Sequence, residues 1–204
     1  MRWPVDIPRA TPHGAYGYER RSKADGACGF LGNYPCTHNG LDLAGTRGTP
    51  VYAPEPLSVH AMGTGALPPF RGYRPGAMIA RGKTTGVYHL FGHLEPGTMP
   101  SPMQEGSFWD FMTTPLWKDN EERRQIAEGE RIGLTSSANH VHWEVRKPGW
   151  DGARTNPAAW LAQYDPSVDV DEFTYGGTRS SSGGGGGLAI LALFLLGGKK
   201  RRRR

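Results

Sequence analysis

Short runs of alternating or β-branched apolar residues, divided by glycine and proline, dominate this chain. Long stretches with helical periodicity are scarce. Seven runs read as strands: 41–43, 50–53, 58–61, 77–80, 87–93, 131–134 and 141–146. Turn signals separate them, so the pattern predicts a mostly all-β, antiparallel fold. The 204 residues are enough for one sizeable core. After the last run, Asn156-Pro157 reads as a turn into a closing helical segment.

Two of these runs carry histidine clusters about a hundred residues apart. One is His38-Asn39-Gly40-Leu41-Asp42 and the other is His140-Val141-His142-Trp143-Glu144. On a strand, residues i and i+2 share a face, so His140 and His142 project into one cleft while Val141 points into a core. A catalytic zinc takes three ligands from His, Asp or Glu and keeps one position open. His38 and Asp42 can supply two ligands, and one histidine of the pair the third. The remaining imidazole then stands where a general base belongs. No HExxH helix motif occurs, which excludes the thermolysin-type arrangement.

The flanking segments read HNGLDLAGTRGTPVYAP at 38–54, GVYHLFGHL at 86–94 and IGLTSSANHVHWEV at 132–145. In this order they resemble the lysostaphin-type zinc endopeptidases that cleave peptidoglycan. That family's pattern is H-x-G-x-D-[LI]-A, then G-T-P-V-x-A, a strand ending in H-L, and H-x-H-[FW]-E. The resemblance covers about residues 33–161. It implies a β-sandwich-like peptidase core with a zinc groove across one sheet and short helices in insertions. It also implies His38, Asp42 and His142 as zinc ligands and His140 as the general base toward the attacking water. His93 is implied as a second active-site imidazole that holds the water or the developing oxyanion. In an unbroken strand His89 shares the face of His93. His93 is preferred because Leu94-Glu95-Pro96-Gly97 reads as a turn leaving the strand. His13 and His60 lack such context and read as solvated or packed.

The implied substrate is the peptide cross-links or stem peptides of peptidoglycan. The alternative is a non-catalytic module on the same fold that binds wall or regulates a hydrolase. Degenerate relatives of that kind lose ligands, and this chain keeps all five candidates. Two departures bear on substrate preference. The loop before the His-x-His strand, 135–139, is shorter than the family's. An insertion at about 98–128 holds Phe108, Trp109, Phe111 and Trp117. It reads as a surface insertion packed on the domain, or as a groove wall.

The net charge of +5 changes little, because six of the 24 basic residues are the last six of the chain. Without them the body carries one more acidic than basic residue, so no nucleic-acid partner is expected. Residues 180–187 (SSSGGGGG) read as a flexible linker, and 188–196 (LAILALFLL) as a short apolar segment before KKRRRR at 199–204. A spanning helix needs roughly 20 apolar residues. Snorkelling basic side chains and local thinning could close the gap, with the basic end inside and the catalytic domain outside. This tail resembles GlyGly-type C-terminal sorting tails, and membrane contact through it is expected. No apolar leader stands at the N-terminus. That suits a phage virion-associated lysin, or a misassigned start in a bacterial envelope enzyme.

The expected organisation is an N-terminal extension (1–32), a zinc peptidase domain (33–162), an acidic then Ser/Gly-rich linker (163–187) and the apolar and basic tail (188–204). The acidic stretch 165–172 lacks the glycine and closing glutamate of an EF-hand loop and reads as solvated. Cys28 and Cys36 flank a glycine-rich loop before His38. In an oxidising compartment they could pair and brace it; free thiols or a metal role are the alternatives.

Overall fold

The computed structural model describes residues 1–25, 34–63, 70–100, 124–148 and 153–176. The strands are β1 (Glu19–Arg20), β2 (Cys36–Thr37), β3 (Leu41–Ala44), β4 (Pro50–Tyr52), β5 (Leu57–Gly63), β6 (Gly76–Gly82), β7 (Tyr88–Leu94), β8 (Gln125–Ile126), β9 (Arg131–Leu134), β10 (His140–Arg146) and β11 (Arg154–Thr155). The seven runs expected from the pattern are β3, β4, β5, β6, β7, β9 and β10. The other four have two residues each, too few for periodicity to reveal. Among the described residues all the strands pair antiparallel, as expected.

The main sheet runs β11-β10-β7-β6-β5-β8, with β3 also on β10; β1-β2 and β4-β9 form separate ribbons. β10 is the axis of the molecule. β7 lies along one edge, while β3 and then β11 share the other. Alternation decides which side chains go where. Val141, Trp143 and Val145 are buried in the main core, and His140, His142, Glu144 and Arg146 take the opposite face. Val51 and Ile132 of the β4-β9 ribbon join the same core as Leu41, Leu43, Phe91 and Trp143. The ribbon therefore covers one face of the sheet, which makes the sandwich and leaves the histidine face for a groove.

The closing helix α1 (Pro157–Leu161) is capped as its sequence requires. Asn156 Oδ1 accepts from Ala158 N at 3.0 Å, and Pro157 opens the first turn. The helix buries Ala158, Trp160 and Leu161. Trp160 meets Trp143 edge-on with centroids 5.8 Å apart. Val5 and Phe173 belong to the core as well, beyond 33–162 at either end. Phe173 closes a short 3-10 turn, Asp171–Phe173, at the end of the acidic stretch. The N-terminal segment runs beside β3: Ala44 N donates to Arg9 O, Thr11 N to Asp42 O, and Asp42 N to Gly14 O.

Cys36 is disulfide-bonded. Cys28, the insertion's aromatic residues and the whole apolar and basic tail lie outside the described residues. Among the described residues no helix is long and apolar enough to cross a membrane.

Beneath the sheet Trp143, His89 and Glu55 form a buried polar chain. Trp143 Nε1 donates to His89 Nδ1 at 3.2 Å, and His89 Nε2 meets Glu55 Oε1 at 2.9 Å. The other donors to Glu55 are Thr85 Oγ1 and the backbone N–H groups of Thr84 and Thr85. Burial pushes His89 below its ordinary value against the pull of Glu55, so it is held neutral. Burial alone would raise Glu55, but hydrogen bonds from His89 and Thr85 outweigh it and keep the carboxylate ionised.

Both folded pKa values lie below the unfolded ones, so both groups stabilise the fold above those values and lose that contribution as the pH falls. Denaturant melts should show stability declining with acid from near pH 6.5, through His89 together with His38 and His93, and more steeply below pH 4.5, through Glu55 together with Asp42 and Glu144. Glu55→Ala should cost about 1–3 kcal/mol near neutrality, because it strands the buried His89 Nε2–H and the half-buried Thr85 donors.

Candidate active site

β3 and β10 pair with His142 opposite Asp42 and His140 opposite Ala44. That register sets His142 beside Asp42. His38 arrives from the turn after β2, where its N–H donates to Tyr18 O at 2.8 Å. Three donor atoms then converge. His142 Nδ1 is 2.6 Å from Asp42 Oδ1, His38 Nε2 is 3.2 Å from the same oxygen, and the two nitrogens are 3.1 Å apart. All three residues are buried, and they form a group that can hold a metal ion.

The outer partners orient each ring. His38 Nδ1 faces Ala15 O at 3.2 Å, which fixes Nε2 toward the cluster. His142 Nε2 faces Glu144 Oε1 at 3.1 Å, which fixes Nδ1 toward it. Glu144 in turn accepts from Tyr73 Oη at 2.6 Å, from Arg146 Nη2 at 2.8 Å and from Arg154 Nε at 3.1 Å. Asp42 Oδ2 accepts from Arg20 Nη2 at 2.8 Å.

Charge in this cluster is strongly coupled. Burial by itself would raise Asp42, yet His142 and His38 hold it well below the usual carboxylate range. Burial opposes a charge on His142, but Asp42 and Glu144 outweigh it and push the metal-free imidazole up to about 9. Burial would also raise Glu144; His142 and Arg146 keep it far down. Burial lowers His38 despite Asp42.

His140 and His93 stand beside the cluster. His140 Nδ1 faces Ala138 O at 2.8 Å, and its Nε2 lies 3.9 Å from Asp42 Oδ1. The His93 ring meets His140 nearly edge-on, with centroids 4.5 Å apart, and lies 6.4 Å from the His142 ring. Its Nδ1 faces Arg74 O. Burial, with the neighbouring His140, lowers His93 to about 4 and keeps it neutral.

The structure brings together all five histidine and aspartate candidates and separates His89 from them. The strand is not regular at its end. His93 has φ 63° and falls in a register shift, where Gly76 pairs Leu94 and Ala77 pairs Gly92. This bulge turns His93 onto the groove face, while His89 follows the regular alternation into the core. Asn139, with φ 58°, turns the short loop into β10, and Ser136 N donates to His93 O. The short loop 135–139 thus ties both flanking imidazoles. His60 meets Tyr88 edge-on, and His13 stacks on Tyr18.

Tyr73, Glu144, Arg154 and Arg20 surround the site and received no role from sequence. Glu144 was visible as the glutamate two residues past His142, on the same strand face. Tyr73 and Arg20 left no local signal.

No family model matches the chain, and no curated protein matches it by sequence. Solved structures do match in fold. LytU is 15% identical over 80% of this chain and 92% of its own, with a TM-score of 0.50. The catalytic domain of the antimicrobial peptidase lysostaphin from Staphylococcus simulans is 16% identical, over 72% of this chain and 92% of that one, with a TM-score of 0.46. Helicobacter pylori Csd3 is 18% identical, with a TM-score of 0.49; 76% of this chain is covered, which spans only 33% of the Csd3 chain. A prophage-encoded M23 protein, EnpA from Enterococcus faecalis, is also among the structural neighbours, at 18% identity over 74% of this chain and 94% of that one, with a TM-score of 0.42. At such identities the likeness is one of fold: a mostly β, antiparallel architecture of the M23 peptidase type.

Gly40 tests the packing of the site directly. A Cβ there would lie 2.7 Å from His142 Cε1, 2.8 Å from His142 Nε2 and 2.8 Å from Trp143 O. Gly40→Ala should therefore displace the His142 ring and cost about 1–3 kcal/mol, read by thermal or urea melts of the metal-free protein. A melt equal to wild type would show that the ring does not sit there.

Proposed function

We propose that this chain is a zinc-dependent endopeptidase that hydrolyses peptide cross-links or stem peptides of bacterial peptidoglycan. The observation that carries the reading is the convergence of His38 Nε2, Asp42 Oδ1 and His142 Nδ1 beside two further imidazoles. Support for the substrate class comes from the motif resemblance of residues 38–54, 86–94 and 132–145.

The donor set fits zinc. With bonds of ~2.0–2.2 Å, neighbouring ligands of a tetrahedral zinc stand about 3.3–3.6 Å apart. The three contacts here, 2.6, 3.1 and 3.2 Å, are those of the same triangle drawn slightly inward by hydrogen bonding. Two nitrogens and one carboxylate oxygen match the ligand preference of a catalytic site with one position open. His38, Asp42 and His142 would hold the ion, and bound zinc would polarise the scissile carbonyl and make water a better nucleophile near neutral pH.

The remaining steps belong to the chain. His140 donates its Nδ1–H to Ala138 O, so its Nε2 lone pair faces the cluster and can accept a proton from the attacking water. The same imidazole returns that proton to the leaving amine. His93 donates Nδ1–H to Arg74 O, which leaves Nε2 as an acceptor. That tautomer suits holding the water rather than donating to an oxyanion.

The finer placing is at the cell envelope, on the outer face of a membrane or in a phage virion. Its membrane contact rests on the sequence of 188–204 alone, with the basic end on the inner side.

The test is a digest of purified sacculi, with released fragments identified by mass spectrometry. The zinc-loaded protein should create new stem-peptide or cross-bridge ends. Asp42→Ala should lose both zinc and cleavage. His140→Ala should keep zinc, measured by metal analysis after dialysis, and lose about 10²–10⁴-fold in rate. A folded, zinc-loaded wild type that releases nothing from several wall types would favour the wall-binding alternative.

A further inference from the structure

We infer that Arg20 is a positioning residue that restricts Asp42 to one metal-facing oxygen. This rests on the zinc reading above and adds a residue to it.

The two oxygens of Asp42 have different surroundings. Oδ1 faces His142 Nδ1 at 2.6 Å and His38 Nε2 at 3.2 Å. Oδ2 faces Arg20 Nη2 at 2.8 Å. The pair is largely sheltered, with side chains 11% and 9% exposed. A carboxylate left free to turn can offer a metal one oxygen or both. Three single-atom donors leave zinc a fourth position for water and substrate, and a second Asp42 oxygen would fill it. Arg20 occupies that second oxygen.

The placement of Arg20 is built into the fold. β1 pairs with β2 so that Arg20 stands opposite Cys36, two residues before His38. One ribbon therefore carries both His38 and the cation that orients Asp42. Gly14 packs against Asp42, where a Cβ would lie 2.6 Å from Asp42 Cβ. The root of the side chain is thus held by packing, and its carboxylate is aimed by Arg20. A cation serving only to neutralise Asp42 would leave metal coordination unchanged when removed.

The test uses the full chain with cobalt(II) in place of zinc. Four-coordinate cobalt(II) absorbs strongly in the visible, and added ligands weaken the bands. Arg20→Gln should lose visible intensity, and sacculus cleavage by its zinc form should fall about tenfold or more, in kcat rather than KM. Arg20→Lys should regain the wild-type spectrum, because an ammonium can still take Oδ2. An Arg20→Gln spectrum identical to wild type would overturn the inference, even if the variant melts at a lower temperature. If Arg20→Gln does not fold, Arg20→Met, which keeps the apolar stem, is read against the same two outcomes. If wild type takes up no cobalt(II) or zinc, the zinc reading itself fails and this inference falls with it.

Discussion

A carboxylate buried between two strands governs this molecule. Asp42 sits almost out of water, and a buried charge is tolerated only among partners that compensate it. His142, His38 and Arg20 are those partners. Each comes from a different part of the chain, so β3, β10, the turn after β2 and the β1-β2 ribbon must meet at one point. The glycines follow from the same demand. Gly40 makes room for the His142 ring, and Gly14 lets the N-terminal segment lie on Asp42.

β10 carries two polar networks, one on each face. On the groove face Glu144 orients His142 and is itself held by Tyr73, Arg146 and Arg154. On the core face Trp143 reaches His89, which ends on Glu55. The first network sets which nitrogen of His142 faces the cluster. The second closes the hydrogen bonds of a buried indole and imidazole and fixes the strand that bears the site. A shift of β10 by one residue would exchange the two faces and break both.

Much of this was legible in the residues. Short runs of alternating or β-branched apolar residues between turn signals reveal β3 to β7, β9 and β10. Asn156-Pro157 announces the closing helix through its cap. His140 and His142 share a face by strand parity, and Val141 goes inward with them fixed. What alternation could not decide was His93 against His89. Parity places both on one face, and only the bulge at His93 separates them. A bulge depends on the register of the neighbouring strand, which no local pattern records.

By itself, then, the sequence determined the seven longer strands, the two histidine clusters and, where a strand is unbroken, the side each residue takes, since these depend on neighbours in the chain. Tertiary structure decided which clusters meet, which tautomer each imidazole holds and which residues stand behind the donors. Tyr73 lies over Gly92 and reaches Glu144 from 71 residues away; Arg20 reaches Asp42 from 22 away across a ribbon of two-residue strands. Such contacts exist only after the sheet has closed, because the hydrogen bonds that define them join segments with no shared periodicity.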